Sequence, residues 1–157
     1  MKAKGFTLIE LVVVIVILGI LSVTAAPRFL NLQDDARNAA IAGFRGAMNG
    51  AMGIVYGKAA LMGVERAEEA KLDTDGTGTL DLAIAYGYPK ATLNDLSIVV
   101  QGLREDWAHK EIPGSASIHF GIAGYDKTCI KYTQAGVTSA ATAVVIKDPA
   151  ECSGLTK

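Results

Sequence analysis

Two hydrophobic patterns follow one another in the first sixty residues. From Leu11 to Leu21 every position is apolar apart from Gly19, and Pro27 closes the run after Ser22, Thr24, Ala25 and Ala26. Phe6 to Ala26 is 21 residues. As a helix that is roughly 30 Å, about the thickness of a bilayer core. Helical periodicity resumes beyond Pro27 in a different form. Ile41, Phe44, Met48, Met52, Val55, Ala59 and Met62 recur at steps of three and four, which predicts an amphipathic helix to about Gly63. Gly43, Gly46, Gly50, Gly53 and Gly57 step the same way on another face. Each glycine costs up to about 1 kcal/mol relative to alanine, so the stripe calls for close backbone approach. The first expectation is the domain's own sheet; a neighbouring helix is the second.

After residue 63 the pattern changes again. Residues 64–79 are polar and read as a helix end and a loop, and Leu80, Leu82, Ile84 and Tyr86 then alternate as a strand. Gly87-Tyr88-Pro89 reads as a turn. Thr92 with Asp95 resembles a capping box, followed by a helix through Leu93, Leu96, Val99 or Val100, Leu103 and Trp107. Pro113-Gly114 is another turn. Three strands follow, around Ile118–Ile122, Cys129–Thr133 and Thr142–Ile146. The expected class is α+β: a long helix followed by a small α+β head.

Composition narrows the chemistry. The 157 residues suffice for one domain and an appendage, and half are hydrophobic. A formal net charge of −1 provides no basic field, so no nucleic acid partner is expected. Aromatic residues are few, with Trp107 the single tryptophan, which leaves little for stacking on bases or sugars. Cys129 and Cys152 are an isolated pair; in an exported protein such a pair usually forms one disulfide.

Lys2 and Lys4 ahead of the apolar run would hold its N-terminal end on the cytoplasmic side. An ordinary secretory signal peptide also has basic, apolar and small-residue parts in this order. It leaves Glu10 unexplained, and Pro27 sits just after the best small-residue exit. A plain anchor leaves Glu10 unexplained too, because a carboxylate in lipid costs on the order of a few kcal/mol. Such an acid needs a partner, and the most available one is a positive charge on another copy of the same helix.

Lys4-Gly5-Phe6-Thr7-Leu8-Ile9-Glu10 and the Val/Ile/Leu run resemble the processing signal of type IV pilins and their relatives. The resemblance implies cleavage between Gly5 and Phe6 by a prepilin peptidase, N-methylation of Phe6, and pairing of Glu10 with the terminal amine of a neighbouring subunit. Loss of Lys2 and Lys4 would take the formal charge from −1 to −3. Gly19 and Pro27 match family positions where the helix loosens in the filament. The implied organisation is a leader at 1–5, a hydrophobic transmembrane and assembly helix at 6–33, and a globular head at 34–157. The implied fold is that of a type IV pilin, a long helix, half of it protruding and hydrophobic, packed on a four-stranded antiparallel sheet. Cys129 and Cys152 would bound the family's C-terminal disulfide loop.

Ala26-Pro27-Arg28-Phe29-Leu30, Asp34-Asp35-Ala36-Arg37 and Gly87-Tyr88-Pro89 are similar to mannose-sensitive haemagglutinin pilins of marine Gram-negative bacteria. That resemblance implies a single-pass precursor in the inner membrane, then an extracellular fibre of identical subunits built by pilus machinery. Mannosides or surface polysaccharide would be the ligand, though no mannose-binding motif falls on named residues. A pseudopilin of a type II secretion system and a sugar-binding adhesin carried on a fibre remain as alternatives.

Other chemistry is thin. Asp73, Asp75 and Asp81 partly follow a calcium loop, but Thr77 and Ile84 stand where further ligands belong, and a solvated turn is the stronger reading. His109 and His119 lack companions for a zinc site. Ser115 and Ser117 lie in no nucleophile elbow, and there is no phosphate loop or dinucleotide fingerprint. No cofactor and no enzymatic activity are expected.

Overall fold

A computed structural model describes residues 5–157, apart from the side chains of Leu30 and Asn31. The leader expectation therefore falls mainly on residues 1–4, outside the described residues. The chain divides into two compact units, Met1–Arg37 and Asn38–Lys157, whereas the sequence suggested a boundary after residue 33. The first helix, α1 (Leu8–Leu61), has 54 residues and contains Pro27.

The second unit is built on two antiparallel sheets. The first comprises β1 (Ala70–Leu72), β2 (Leu82–Ala85) and β3 (Tyr88–Pro89), in that order. α2 (Leu93–Val99) and α3 (Leu103–Asp106) follow. The second sheet is β4 (Ala108–Glu111), β5 (Ser117–Gly121), β6 (Cys129–Thr133) and β7 (Thr142–Ile146), paired in sequence order, with a short α4 (Pro149–Cys152) after it. The α+β class and the long helix are as expected, but the sheets differ from the sequence reading. The strand at 82–85 belongs to the smaller sheet. Its place in the four-stranded sheet is taken by β4, whose Ala-His-Lys-Glu sequence has no apolar alternation to reveal it.

Within this unit Ile41, Phe44, Met48 and Met52 of α1 are buried in one cluster with Ile118, Phe120, Ile130 and Tyr132 from β5 and β6. Phe44 stacks on Trp107 at 3.9 Å between centroids and meets Phe120 edge-on at 6.0 Å. Val55 and Ala59 continue the stripe into a smaller cluster with Leu72, Leu82 and Ile84. Apart from Met62, which lies past the helix end and is exposed, the predicted apolar face, from Ile41 to Ala59, is therefore the buried one. The glycine stripe is not: a Cβ at Gly43, Gly46, Gly50, Gly53 or Gly57 would meet nothing within 4 Å. These glycines lie opposite the buried stripe and are exposed, so packing on the domain's own sheet, the first expectation, is overturned.

One turn and one helix were also misread. The hairpin turn is Tyr86-Gly87, with φ of 48° and 83°, and Tyr88-Pro89 forms β3. Positive φ at both central residues suits the right-handed twist of the strands. Gly87 is required twice over, since a Cβ there would lie 2.8 Å from the Tyr56 ring. The single helix expected from Leu93 to Trp107 is broken. Val100 is extended and Gly102 is left-handed at φ 75°, so Trp107 leaves the helix and stacks on Phe44. The cap reads as expected: the Asp95 N–H donates to Thr92 Oγ1 at 3.1 Å, and Thr92 Oγ1 donates to Asp95 Oδ2 at 2.5 Å.

Candidate assembly helix

α1 begins at Leu8, which makes Thr7 the cap and Glu10 the third helical residue. Both partners serve each other. The Thr7 N–H and hydroxyl each donate to Glu10 Oε2 at 2.8 Å, and the Glu10 N–H donates to Thr7 Oγ1 at 3.2 Å. This is a capping box, and it satisfies backbone donors that the first helical turn would otherwise leave open. All three bonds use Oε2 or Thr7 Oγ1, so Oε1 is outside the box. The sequence reading missed Thr7, although Thr-x-x-Glu before an apolar run is the signal for this motif. It also gives Glu10 a reason to exist within its own chain, since the acid finishes its own helix.

From Phe6 through Leu21 the large apolar side chains are exposed. An 18-residue window of α1 has mean hydropathy 2.8 and none of it is buried, which makes the helix long and apolar enough to cross a membrane. Its few hydroxyls are satisfied inside the helix: Ser22 Oγ donates to the Leu18 carbonyl at 2.7 Å and Thr24 Oγ1 to the Leu21 carbonyl at 2.9 Å. Internal satisfaction of this kind is what hydrocarbon demands. Gly5 and Phe6 lie outside the helix and are exposed, and α1 continues through Gly19 and Pro27.

The other predicted residues lie in the second unit. Cys129 and Cys152 are joined in a disulfide with Cα atoms 5.4 Å apart. It ties α4 to β6, where the His119 imidazole meets the Glu151 carbonyl at 3.1 Å and Lys131 Nζ lies 3.4 Å from the Glu151 carboxylate. Asp73 Oδ1 accepts from the Gly76 N–H at 2.7 Å and Oδ2 from the Gly78 N–H at 2.8 Å. Asp81 Oδ1 accepts from the Thr74 N–H at 2.8 Å, and Asp75 Oδ1 from the Thr77 hydroxyl, also at 2.8 Å. The Gly78 N–H bond to Asp73, and the Thr74 hydroxyl bond to Asp81 Oδ2 with the Thr74 N–H after it, lead in holding both acids below the usual aspartate range. The carboxylates fasten the loop, and among the described residues no group of three His, Cys, Asp or Glu side chains could hold a metal ion.

The start of this helix is similar to segments of known proteins. Residues 1–26 match the family model described as the prokaryotic N-terminal methylation motif. The chain is also similar to the type IV narrow pilus major component PilA5 of Thermus thermophilus, 40% identical over 79 residues that make up 50% of this chain and 66% of that protein. The match thus spans just under two thirds of that relative's length. No solved structure matches.

Proposed function

We propose that this chain is the structural subunit of a type IV pilus, made as a single-pass membrane precursor and polymerised into an extracellular fibre for attachment. The observation that carries this is that the methylation motif coincides with an apolar helical stretch, residues 8–26, whose one carboxylate, Glu10, stands at its start. A prepilin peptidase cuts between Gly5 and Phe6, and the new amine of Phe6 is N-methylated. Cleavage thereby creates an ammonium group four residues from Glu10. Two copies offset along the helix axis neutralise each other's charge, leaving the Thr7 bonds to Oε2 in place. Gly19 and Pro27 are poor helix-interior residues, and they are the places where the helix loosens as it moves from lipid to fibre. The partners are further copies of the chain, the peptidase and assembly machinery, and the inner membrane of a Gram-negative cell.

Similarity to a pilus major component supports this role, and the cysteine pair favours a pilin over a secretion pseudopilin. The finer reading is a major pilin of the mannose-sensitive haemagglutinin type that attaches to mannosides or surface polysaccharide. It is supported by the short segments Ala26–Leu30, Asp34–Arg37 and Gly87–Pro89. Mass spectrometry of sheared surface fibres tests the main reading. The expected dominant component starts at N-methyl-Phe6; an intact Met1 or a start at Pro27 overturns it. Purified fibres on a glycan array test the finer one, for which silence toward mannosides is the adverse result.

A further inference from the structure

The apolar run ends in a group of residues that the Glu10 pairing does not involve. Pro27 lies inside α1 and has no N–H, so the Val23 carbonyl loses the donor an ordinary residue would supply. The neighbouring hydroxyls do not replace it, because Ser22 bonds to the Leu18 carbonyl and Thr24 to those of Leu21 and Ile20. An unserved carbonyl is costly in hydrocarbon and cheap where headgroups and water reach it. Counted from Phe6, Val23 closes a stretch of about 27 Å, close to the thickness of a bilayer core. The break in hydrogen bonding therefore falls at headgroup depth. Just beyond it, Arg28 is exposed, with Phe29 69% and Leu32 60% exposed beside it. Ala25, Arg28, Phe29 and Leu32 line one shallow notch on the helix.

We propose that this notch is a docking site for a phospholipid of the leaflet opposite Lys2 and Lys4. The Arg28 guanidinium pairs with the headgroup phosphate, while Phe29 and Leu32 lie against the upper acyl chain. Charge complementarity and continuity with the apolar span point to this occupant, since a cation and an aromatic side chain at the end of a span are suited to the interface. The proposal rests on the reading of the chain as a membrane precursor. It assigns Arg28 a task once the leader is cut: Lys2 and Lys4 have gone, and Arg28 is the basic side chain at the far end of the apolar span. A subunit leaving for the fibre gives up this contact.

The test uses the full chain in vesicles of phosphatidylethanolamine with phosphatidylglycerol, in phosphate-free buffer. Rotational-echo NMR reads the proximity of labelled arginine guanidinium carbon to lipid phosphorus, and proteolysis reads protection of Phe6–Ala26. The expected result is strong dephasing that falls to background in Arg28→Gln and survives in Arg37→Gln. A protected span with no dephasing, or dephasing that persists in Arg28→Gln, overturns the lipid site and leaves the pilin reading standing. An unprotected span overturns the membrane-precursor reading and the lipid site with it.

Discussion

In the N-terminal unit, Leu11 through Leu21 are exposed, while in the second unit Ile41, Phe44, Met48 and Ile130 are almost wholly buried. The residue types are similar and one helix contributes to both. Buried apolar surface is worth roughly 25 cal/mol per Å², and only the second unit collects that stabilisation within its own chain. A helix that is hydrophobic all round belongs in lipid or among other helices. Part of this sequence is therefore written for its own fold and part for surroundings that other molecules supply.

The sharpest way to break that division is at Glu10. Replacement by alanine is expected to reduce sheared-fibre yield to background while membrane insertion survives, measured on the same cells by fibre shearing and fractionation. Normal yield would remove the proposed pairing. Phe44→Ala strikes the other side: it empties a site between Trp107 and Phe120 and is expected to cost about 3–5 kcal/mol in denaturant unfolding, with insertion unchanged. Replacing both Cys129 and Cys152 by serine opens a loop with a sequence separation of 23. The expected loss is about 3 kcal/mol in the same assay.

A smaller effect of opposite sign is expected at Gly50, where a Cβ meets open space. Gly50→Ala should stabilise the full chain in detergent by up to about 1 kcal/mol; a loss of stability there would mean that the glycine face is covered. Least of all, acid should act on the Asp73 and Asp81 loop. Their folded values lie below the ordinary one near 3.8, so their contribution is present above that value and disappears as pH falls through the lowered ones. The Thr74 and Gly78 amide signals should therefore move only below about pH 4, well apart from the histidine range.

Most of the architecture was legible because burial leaves a period in the sequence. Ile41 to Ala59 announced both the helix and its buried face, and Thr92 with Asp95 announced a cap. What was lost depended on partners distant in sequence. β4 has polar side chains and exists because Lys110 and Glu111 find His119 and Ile118 across the sheet. The break at Gly102 turns on a positive φ that glycine permits but does not enforce. The five glycines were correctly seen as one face, and periodicity alone does not say whether a face is covered. At the N-terminus, Glu10 stood out by charge, whereas Thr7 was passed over because its role is visible only as a pair with Glu10.

For the cleavage proposed between Gly5 and Phe6, the Thr7 cap would also set the register. A peptidase binds its substrate as an extended strand, using backbone groups that a helix has already committed to itself. By starting the helix at Leu8, the cap leaves the Gly5–Phe6 bond in non-helical chain, within two residues of a segment that resists being unwound. The same three hydrogen bonds that hold Glu10 therefore measure out a short spacer, and shifting the cap by one residue would carry the proposed cleavage point toward the helix or away from it.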